Sequence, residues 1–148
     1  MSNIKIINMS AEHIKELALI EAECFSVPWT ENGLYEELSN ANARFYVAFC
    51  DDVVAGYIGA HNIVGEVYIT NVAVKGSFRK KGIGETLVNH LVHQSMNENA
   101  EFVTLEVRKS NQNAIKLYEK TGFSFVGERK DFYSSPREDA LLMTKFLR

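Results

Sequence analysis

The sequence predicts a single α/β domain in which a mixed, mostly antiparallel sheet is flanked by helices. Three observations lead there. Strand-like runs alternate with amphipathic helical runs through the middle of the chain, which calls for helices packed on a sheet. Hairpin-like pairs of strands stand towards both ends. A chain of 148 residues, 46% of them hydrophobic, suits one core and therefore one active site. Repeats and low-complexity linkers are absent, so residues 1–148 are expected to act as one domain.

The elements follow in order. Ile4 to Met9 reads as a short strand, and His13 to Cys24 carries Ile14, Leu17, Ala18 and Ile20 at helical spacing. Phe25-Ser-Val-Pro-Trp-Thr30 interrupts that period. Pro28 pushes Val27 towards extended geometry, and Thr30 is placed to cap a helix from Glu31 to about Leu38. Arg44 to Cys50 and Val53 to His61 flank Asp51-Asp52 and read as a hairpin without a turn glycine. Glu66 to Val74 is the next strand. The period then changes, with Ile83, Leu87, Val88, Leu91 and Val92 marking a helix from about Gly82 to Asn97. Phe102 to Val107 reads as a strand and Asn111 to Thr121 as a helix that Gly122 stops. Phe123 to Arg129 and Ala140 to Phe146 are expected to be the closing strands, joined by a polar loop holding Asp131, Phe132, Tyr133 and Pro136.

Charge and cysteine content narrow the function classes. A formal net charge of −3 gives no global basic field, so neither direct nucleic-acid binding nor membrane association is expected. Cys24 and Cys50 are the only cysteines, and neither sits in a zinc-type spacing. His90 and His93, three apart on one helix, lack an acidic partner in the same turn, so a solvated face is expected there and no metal site. The N-terminal stretch lacks a long apolar run and nothing reaches bilayer length, so the expectation is a soluble, cytoplasmic protein, with a monomer favoured.

Arg79-Lys-Lys-Gly-Ile-Gly84 lies between a strand and a strongly amphipathic helix, where unpaired backbone N–H groups project from the helix start and an anion can sit. Gly82 and Gly84 let a phosphate approach the backbone, while Arg79, Lys80 and Lys81 add positive charge. A flexible basic turn is the plain alternative. No Gly-Lys-Ser/Thr follows, which excludes a Walker-type loop, and the third glycine and acidic partner of a dinucleotide fingerprint are missing.

Asn71-Val-Ala-Val74 followed by Phe78-Arg-Lys-Lys-Gly-Ile-Gly84 resembles the cofactor motif of the GCN5-related N-acetyltransferases, the GNAT superfamily. The resemblance continues through Leu105-Glu-Val-Arg-Lys-Ser-Asn111, Ala114-Ile-Lys-Leu-Tyr-Glu-Lys-Thr-Gly-Phe123 and the segment from Tyr133 to Met143. Phe25-Ser-Val-Pro-Trp-Thr30, the run Leu-Glu-Val-Arg108, Phe132-Tyr133 and Glu138-Asp-Ala140 resemble its RimI-like branch. That branch acetylates the N-terminal alanine of small-subunit ribosomal protein eighteen. The resemblance implies a GNAT-like fold, acetyl-CoA as co-substrate without a metal, and direct attack by the amine in a ternary complex.

It also implies roles. The backbone of Val72, Ala73 and Val74 would pair with the pantetheine arm, and Arg79, Lys80, Lys81, Gly82, Ile83, Gly84 and Glu85 would hold the diphosphate. Asn111 either caps its helix or contacts the cofactor, with Asn113 a weaker candidate of the same kind. Trp29, Phe132 and Tyr133, with Val27, would line an aromatic groove for a peptide end.

Acetyl transfer needs a neutral amine, a polarised carbonyl and a proton for the departing thiolate. Glu106 interrupts the apolar run Phe102-Val-Thr-Leu-Glu-Val107, so it is either an outward residue of an alternating strand or a functional carboxylate; the resemblance makes it the base. Tyr118 by spacing alone reads as core packing, and by resemblance as the donor to the leaving sulfur. Two alternatives stand beside the peptide acetyltransferase. One is a GNAT enzyme for a small amine or antibiotic, and the other a non-catalytic acyl-CoA sensor, against which the presence of both Glu106 and Tyr118 argues.

Overall fold

In the computed structural model, residues 3–148 are described. Seven strands form one sheet in the order β1-β2-β3-β4-β5-β7-β6, with β1 Ile4–Asn8, β2 Ala43–Cys50, β3 Val53–Ile63, β4 Glu66–Val74, β5 Phe102–Arg108, β6 Ser124–Tyr133 and β7 Glu138–Phe146. Only the β4–β5 junction is parallel. The helices are α1 Ile14–Cys24, α2 Glu31–Glu37, α3 Ile83–Asn97 and α4 Gln112–Lys120. Among the described residues no helix is long and apolar enough to cross a membrane.

Where the sequence suggests one core, two sit on opposite sides of the sheet, because both of its faces carry helices. On one, Leu87, Val88 and Leu91 of α3 pack with Ile58, Ala60, Val67, Ile69, Val103 and Leu105. On the other, Ile14, Leu17 and Ile20 of α1 and Leu34 of α2 pack on Phe45, Val47, Tyr57 and Ala73. Strand alternation assigns the faces: Val103, Leu105 and Val107 of β5 are buried under α3, so Thr104 and Glu106 face the other way. Leu91 is wholly buried, and truncating it to alanine would cost about 2–5 kcal/mol.

Local chemistry accounts for the turns. Asp51 and Asp52 both take positive φ, 48° and 70°, the backbone that a two-residue hairpin needs and that aspartate tolerates, so no glycine is required. Thr30 caps α2 by accepting from the Gly33 amide at 3.1 Å.

The closing hairpin departs from expectation. The closing strands are longer than the polar sequence suggests, so Asp131, Phe132 and Tyr133 belong to β6 and the connection shrinks to residues 134–137. The pairing register shifts between Arg129 and Tyr133, and Asp131 adopts φ 52° there while its amide donates to the Asp139 carboxylate at 2.8 Å. That side chain satisfies an amide which the irregular register removes from the ladder.

Candidate active site

The site begins where β4 and β5 part. They pair only over Glu66–Tyr68 with Phe102–Thr104. Beyond that point Ile69 to Val72 and Leu105 to Arg108 line a cleft of about 510 Å³. A bulge contributes to the shape. The β3 partners Gly59 and Ala60 face Asn71 and Ile69, leaving Thr70 as an extra residue in β4. The bulge resets the alternation, so Val72 and Val74 continue the face begun by Val67 and Ile69, while Ala73 packs under α1. Past the fork, the β4 backbone edge that faces β5 has no strand partner and is free to bond an extended ligand.

Of the residues singled out from the sequence, the cleft gathers Val27, Trp29, Val72, Glu106, Asn111, Tyr118, Phe132 and Tyr133. Glu106 is enclosed, its side chain 7% exposed. Tyr68 donates its hydroxyl to Glu106 Oε1. The other oxygen, Oε2, is buried without a hydrogen-bond partner, and the guanidinium Nε of Arg129 lies 3.5 Å away. Tyr118 is 7% exposed and packs edge-on against Phe123 at 5.7 Å, so the packing reading and the cleft reading both describe it. Burial, and secondarily the nearby Tyr133, push the Tyr118 phenol above its ordinary value of 10.0, which keeps it protonated.

Tyr133 is held from behind. The Arg108 guanidinium stacks 4.3 Å from its ring centroid and donates to Pro136 O at 2.8 Å. Glu138 accepts from Arg108 at 3.3 Å and from the Ser110 amide at 2.7 Å. The Ser110 hydrogen bond, aided by Arg108, draws the Glu138 carboxyl below its ordinary value of 4.5.

The opposite wall rests on Glu21, a carboxylate 1% exposed on α1. It accepts from the Trp29 amide at 2.9 Å, the Tyr57 hydroxyl at 2.7 Å and Asn71 Nδ2 at 3.1 Å. These bonds fix the loop before α2 against the bulged part of β4. Burial, with Glu21 next in importance, raises the Tyr57 phenol well above its ordinary value.

Arg79 to Glu85 do not line this cleft; they lie at the start of α3, which abuts the end of β4. A Cβ on Gly84 would stand 3.8 Å from Val74 Cγ2 and 3.3 Å from Leu117 Cδ2 of α4. Lys80 and Gly82 take left-handed φ, 63° and 79°. The first helical bond runs from the Thr86 amide to Gly82 O at 3.0 Å, which leaves the amides of Ile83, Gly84 and Glu85 without an acceptor inside the helix. Three unpaired amides, nearby cations and two glycines fit a diphosphate. Arg79 donates to Val74 O at 3.3 Å, and Glu85 pairs with Lys120 at 3.1 Å, tying α3 to α4.

Asn111 caps α4 by accepting from the Ala114 amide at 3.1 Å, and its residue also lines the cleft. Asn113 is exposed on the same helix and stands outside the cleft. His90 is not on a solvated face as expected: it packs edge-on against Tyr46 at 4.7 Å, and burial lowers its pKa. A larger hollow, about 740 Å³, lies between the end of β1, the C-terminal end of α2 and α3. Arg44 and Glu98 pair in its wall at 3.0 Å, and it contains none of the acid–base residues above.

Tyr68, Arg129, Glu21 and the Arg108–Glu138 pair are the parts that reading the sequence misses. Glu21 alone carried a local signal, because the period that predicts α1 puts it seven residues after Ile14 on the apolar face.

The sequence profile of the Acetyltransferase (GNAT) family matches residues 14–123. A Bacillus subtilis protein provisionally named ribosomal protein bS18-alanine N-acetyltransferase is 39% identical over 137 residues, 92% of this chain and 91% of its own. The crystal structure of the ribosomal-protein-S18-alanine N-acetyltransferase from Escherichia coli has a TM-score of 0.90 at 24% identity, over 98% of this chain and 94% of that one. Arabidopsis thaliana NAA60 in complex with acetyl-CoA has a TM-score of 0.89 at 20% identity, over 98% and 100% of the two chains. The unpaired helix start, the forked strands and the profile match agree, and the chain belongs to the GNAT family of acetyltransferases.

Proposed function

We propose that residues 1–148 form one cytoplasmic N-acetyltransferase domain that moves acetyl from acetyl-CoA to the α-amine of the N-terminal alanine of ribosomal protein bS18. The observation that carries the reading is Glu106: a nearly buried carboxylate in the fork, bonded by Tyr68 through one oxygen and free to accept through the other. The name of the Bacillus subtilis relative, similar over nine-tenths of both chains, supports the choice of acceptor.

Acetyl-CoA supplies an activated acetyl thioester. Amides at the start of α3, with Arg79, Lys80 and Lys81, are suited to its diphosphate, and the edge of β4 from Val72 to Val74, which has no strand partner although Val74 O accepts from Arg79, to its pantetheine amides. An α-amine titrates near pH ~8, so a minority is already neutral at pH 7 and a modest base suffices. Glu106 takes the amine's proton at Oε2. The Tyr118 hydroxyl faces the departing sulfur as a donor. Since its pKa lies above 10.0 and a thiol's near ~8.5, full transfer is more than ~2 kcal/mol uphill, and the phenol acts by hydrogen bonding. Trp29, Phe132 and Tyr133 form the walls against which the acceptor's first residues lie.

The test is acetyl transfer to an alanine-initiated peptide carrying an internal lysine, read as thiol release and by mass spectrometry. Acetylation confined to the α-amine is expected, because a lysine near pKa ~10.4 adds about 3 kcal/mol of deprotonation cost. Acetyl groups on the lysine, or none on the peptide, would overturn the proposal.

A further inference from the structure

We propose that Arg129 is the electrostatic gate of the acceptor site: it pairs with Glu106 until the acceptor's ammonium takes that place, and its charge then helps the ammonium lose its proton to Glu106. The inference rests on the reading of Glu106 as the base. It starts from an asymmetry in one carboxylate. Oε1 receives the Tyr68 hydroxyl, whereas Oε2, buried and without a hydrogen bond, has among the described residues only the Arg129 Nε, at 3.5 Å. Removing the sole cation beside a buried carboxylate is costly unless another cation replaces it. A protonated acceptor amine is such a cation.

The pair differs from the structural ones in this molecule. Arg44 donates twice to Glu98 at 3.0 Å, and Arg108 is held by both Glu138 and Pro136 O. Arg129 makes no hydrogen bond to Glu106, its side chain is 57% exposed, and it stands on β6, the outermost strand, just before the register becomes irregular. Such a side chain can swing into water on its flexible stem at small cost. The other groups around Glu106 do not compete for this role. Tyr68 faces it from β4 and Tyr133 from β6, while Arg108 of β5 is committed to Tyr133 and Glu138. Glu21 of α1 and Tyr118 of α4 line the same cleft, and Glu21 is fully hydrogen-bonded.

Two consequences of opposite sign follow. Arg129 competes with the ammonium for Glu106, so it weakens acceptor binding. With the ammonium lodged between Oε2 and the displaced guanidinium, Arg129 is nearer to the nitrogen than to the carboxylate. Its charge therefore raises the ammonium's acidity more than it lowers the basicity of Glu106 and favours passage of one proton from nitrogen to Oε2, which frees the nitrogen lone pair.

Kinetics of wild type, Arg129→Gln, Arg129→Lys and Glu106→Gln on an alanine-initiated peptide across pH 6–9 test this. Arg129→Gln should keep the wild-type Tm and CoA affinity. Its acceptor KM should fall about 2–5-fold, the range left to a partly exposed charge pair after screening. Its kcat should fall by a similar factor, with the acid limb of the kcat profile moved to higher pH, and Arg129→Lys should restore both. If wild type acetylates the peptide but Arg129→Gln matches it, or loses kcat and KM together without moving the acid limb, the gate is wrong and the reading of the enzyme stands. If wild type fails on the peptide, or Glu106→Gln keeps full activity, the reading falls and the gate with it.

Discussion

The Tyr68 hydroxyl donates to Glu106 across the point where β4 and β5 stop pairing, so the last parallel rungs of the sheet aim the proposed base. Thirty-eight residues separate the two in the chain. The bond orients one carboxylate oxygen and leaves the other without a hydrogen-bond partner. Burial, then the hydrogen bond to Glu106, raise the Tyr68 phenol above its ordinary value of 10.0, so it remains a donor throughout the working range. Tyr68→Phe keeps the ring and removes the bond. A hydrogen bond to a charged group is worth ~1.5–3 kcal/mol, so kcat should drop about 10- to 100-fold with CoA affinity unchanged. Steady-state rates beside a CoA titration check this, and a wild-type kcat would remove Tyr68 from the site.

Tyr118 gives a prediction with a pH sign. Its folded-state pKa lies above 10.0, so the donor form persists past the pH at which a free tyrosine ionises. Wild-type kcat should therefore show no descending limb up to pH 10. Tyr118→Phe should lose about 10²-fold in kcat at every pH, with peptide KM little changed, because only the leaving step lacks its donor. A Tyr118→Phe enzyme with wild-type kcat, under conditions where chemistry limits the rate, would return this residue to packing against Phe123.

The Glu21 network predicts stability. Tyr57 is fully buried, and Tyr57→Phe takes one of three donors from a carboxylate that forms no ion pair among the described residues. Leaving that oxygen short should cost about 2 kcal/mol, or roughly 6 °C in Tm for a chain of this size. The alkaline side carries a second signature. A phenol whose folded pKa is raised stabilises the fold fully below the unfolded value near 10 and loses that contribution as pH climbs above it. Thermal melts from pH 8 to 11 should fall less steeply above pH 10 in Tyr57→Phe than in wild type. Equal slopes and an unchanged Tm would contradict the network.

Local patterns made much of this molecule legible. The apolar repeat from Ile83 to Val92 predicts α3, and the basic glycine-containing run before it marks the helix start, because both signals lie within a few turns of chain. Glu106 was conspicuous as a lone carboxylate in an apolar strand. What stayed hidden is tertiary. Tyr68 reads as an ordinary aromatic of an alternating strand, and Arg129 as a solvated charge, until the strand order places both beside Glu106. The end of β6 is illegible in the sequence for a related reason. Asp131 resembles a loop residue, and only the Asp139 carboxylate, eight residues on, lets the strand continue past it.

The two glycines at the start of α3 separate backbone strain from steric obstruction. Gly82 takes φ 79° with nothing within 4 Å of a would-be Cβ, so Gly82→Ala meets only the left-handed penalty of about 1–2 kcal/mol. Gly84 is not left-handed, but its would-be Cβ already lies 3.3 Å from Leu117 Cδ2 and faces Val74. The added methyls of valine would wedge α3 away from α4 and the end of β4, moving the amides of Ile83, Gly84 and Glu85 together. Gly84→Val should therefore weaken CoA at least tenfold, while Gly82→Ala should weaken it only a few-fold, if the helix refolds around the strained residue. Pantetheine, which lacks the diphosphate, supplies the control. Its weaker affinity should respond little to either substitution, because its proposed contacts run along β4 and not to the start of α3. Calorimetric titration of both ligands into folded variants decides the matter: equal losses for CoA and pantetheine would mean that Gly84 supports the cleft as a whole, and unchanged CoA affinity would move the diphosphate away from α3.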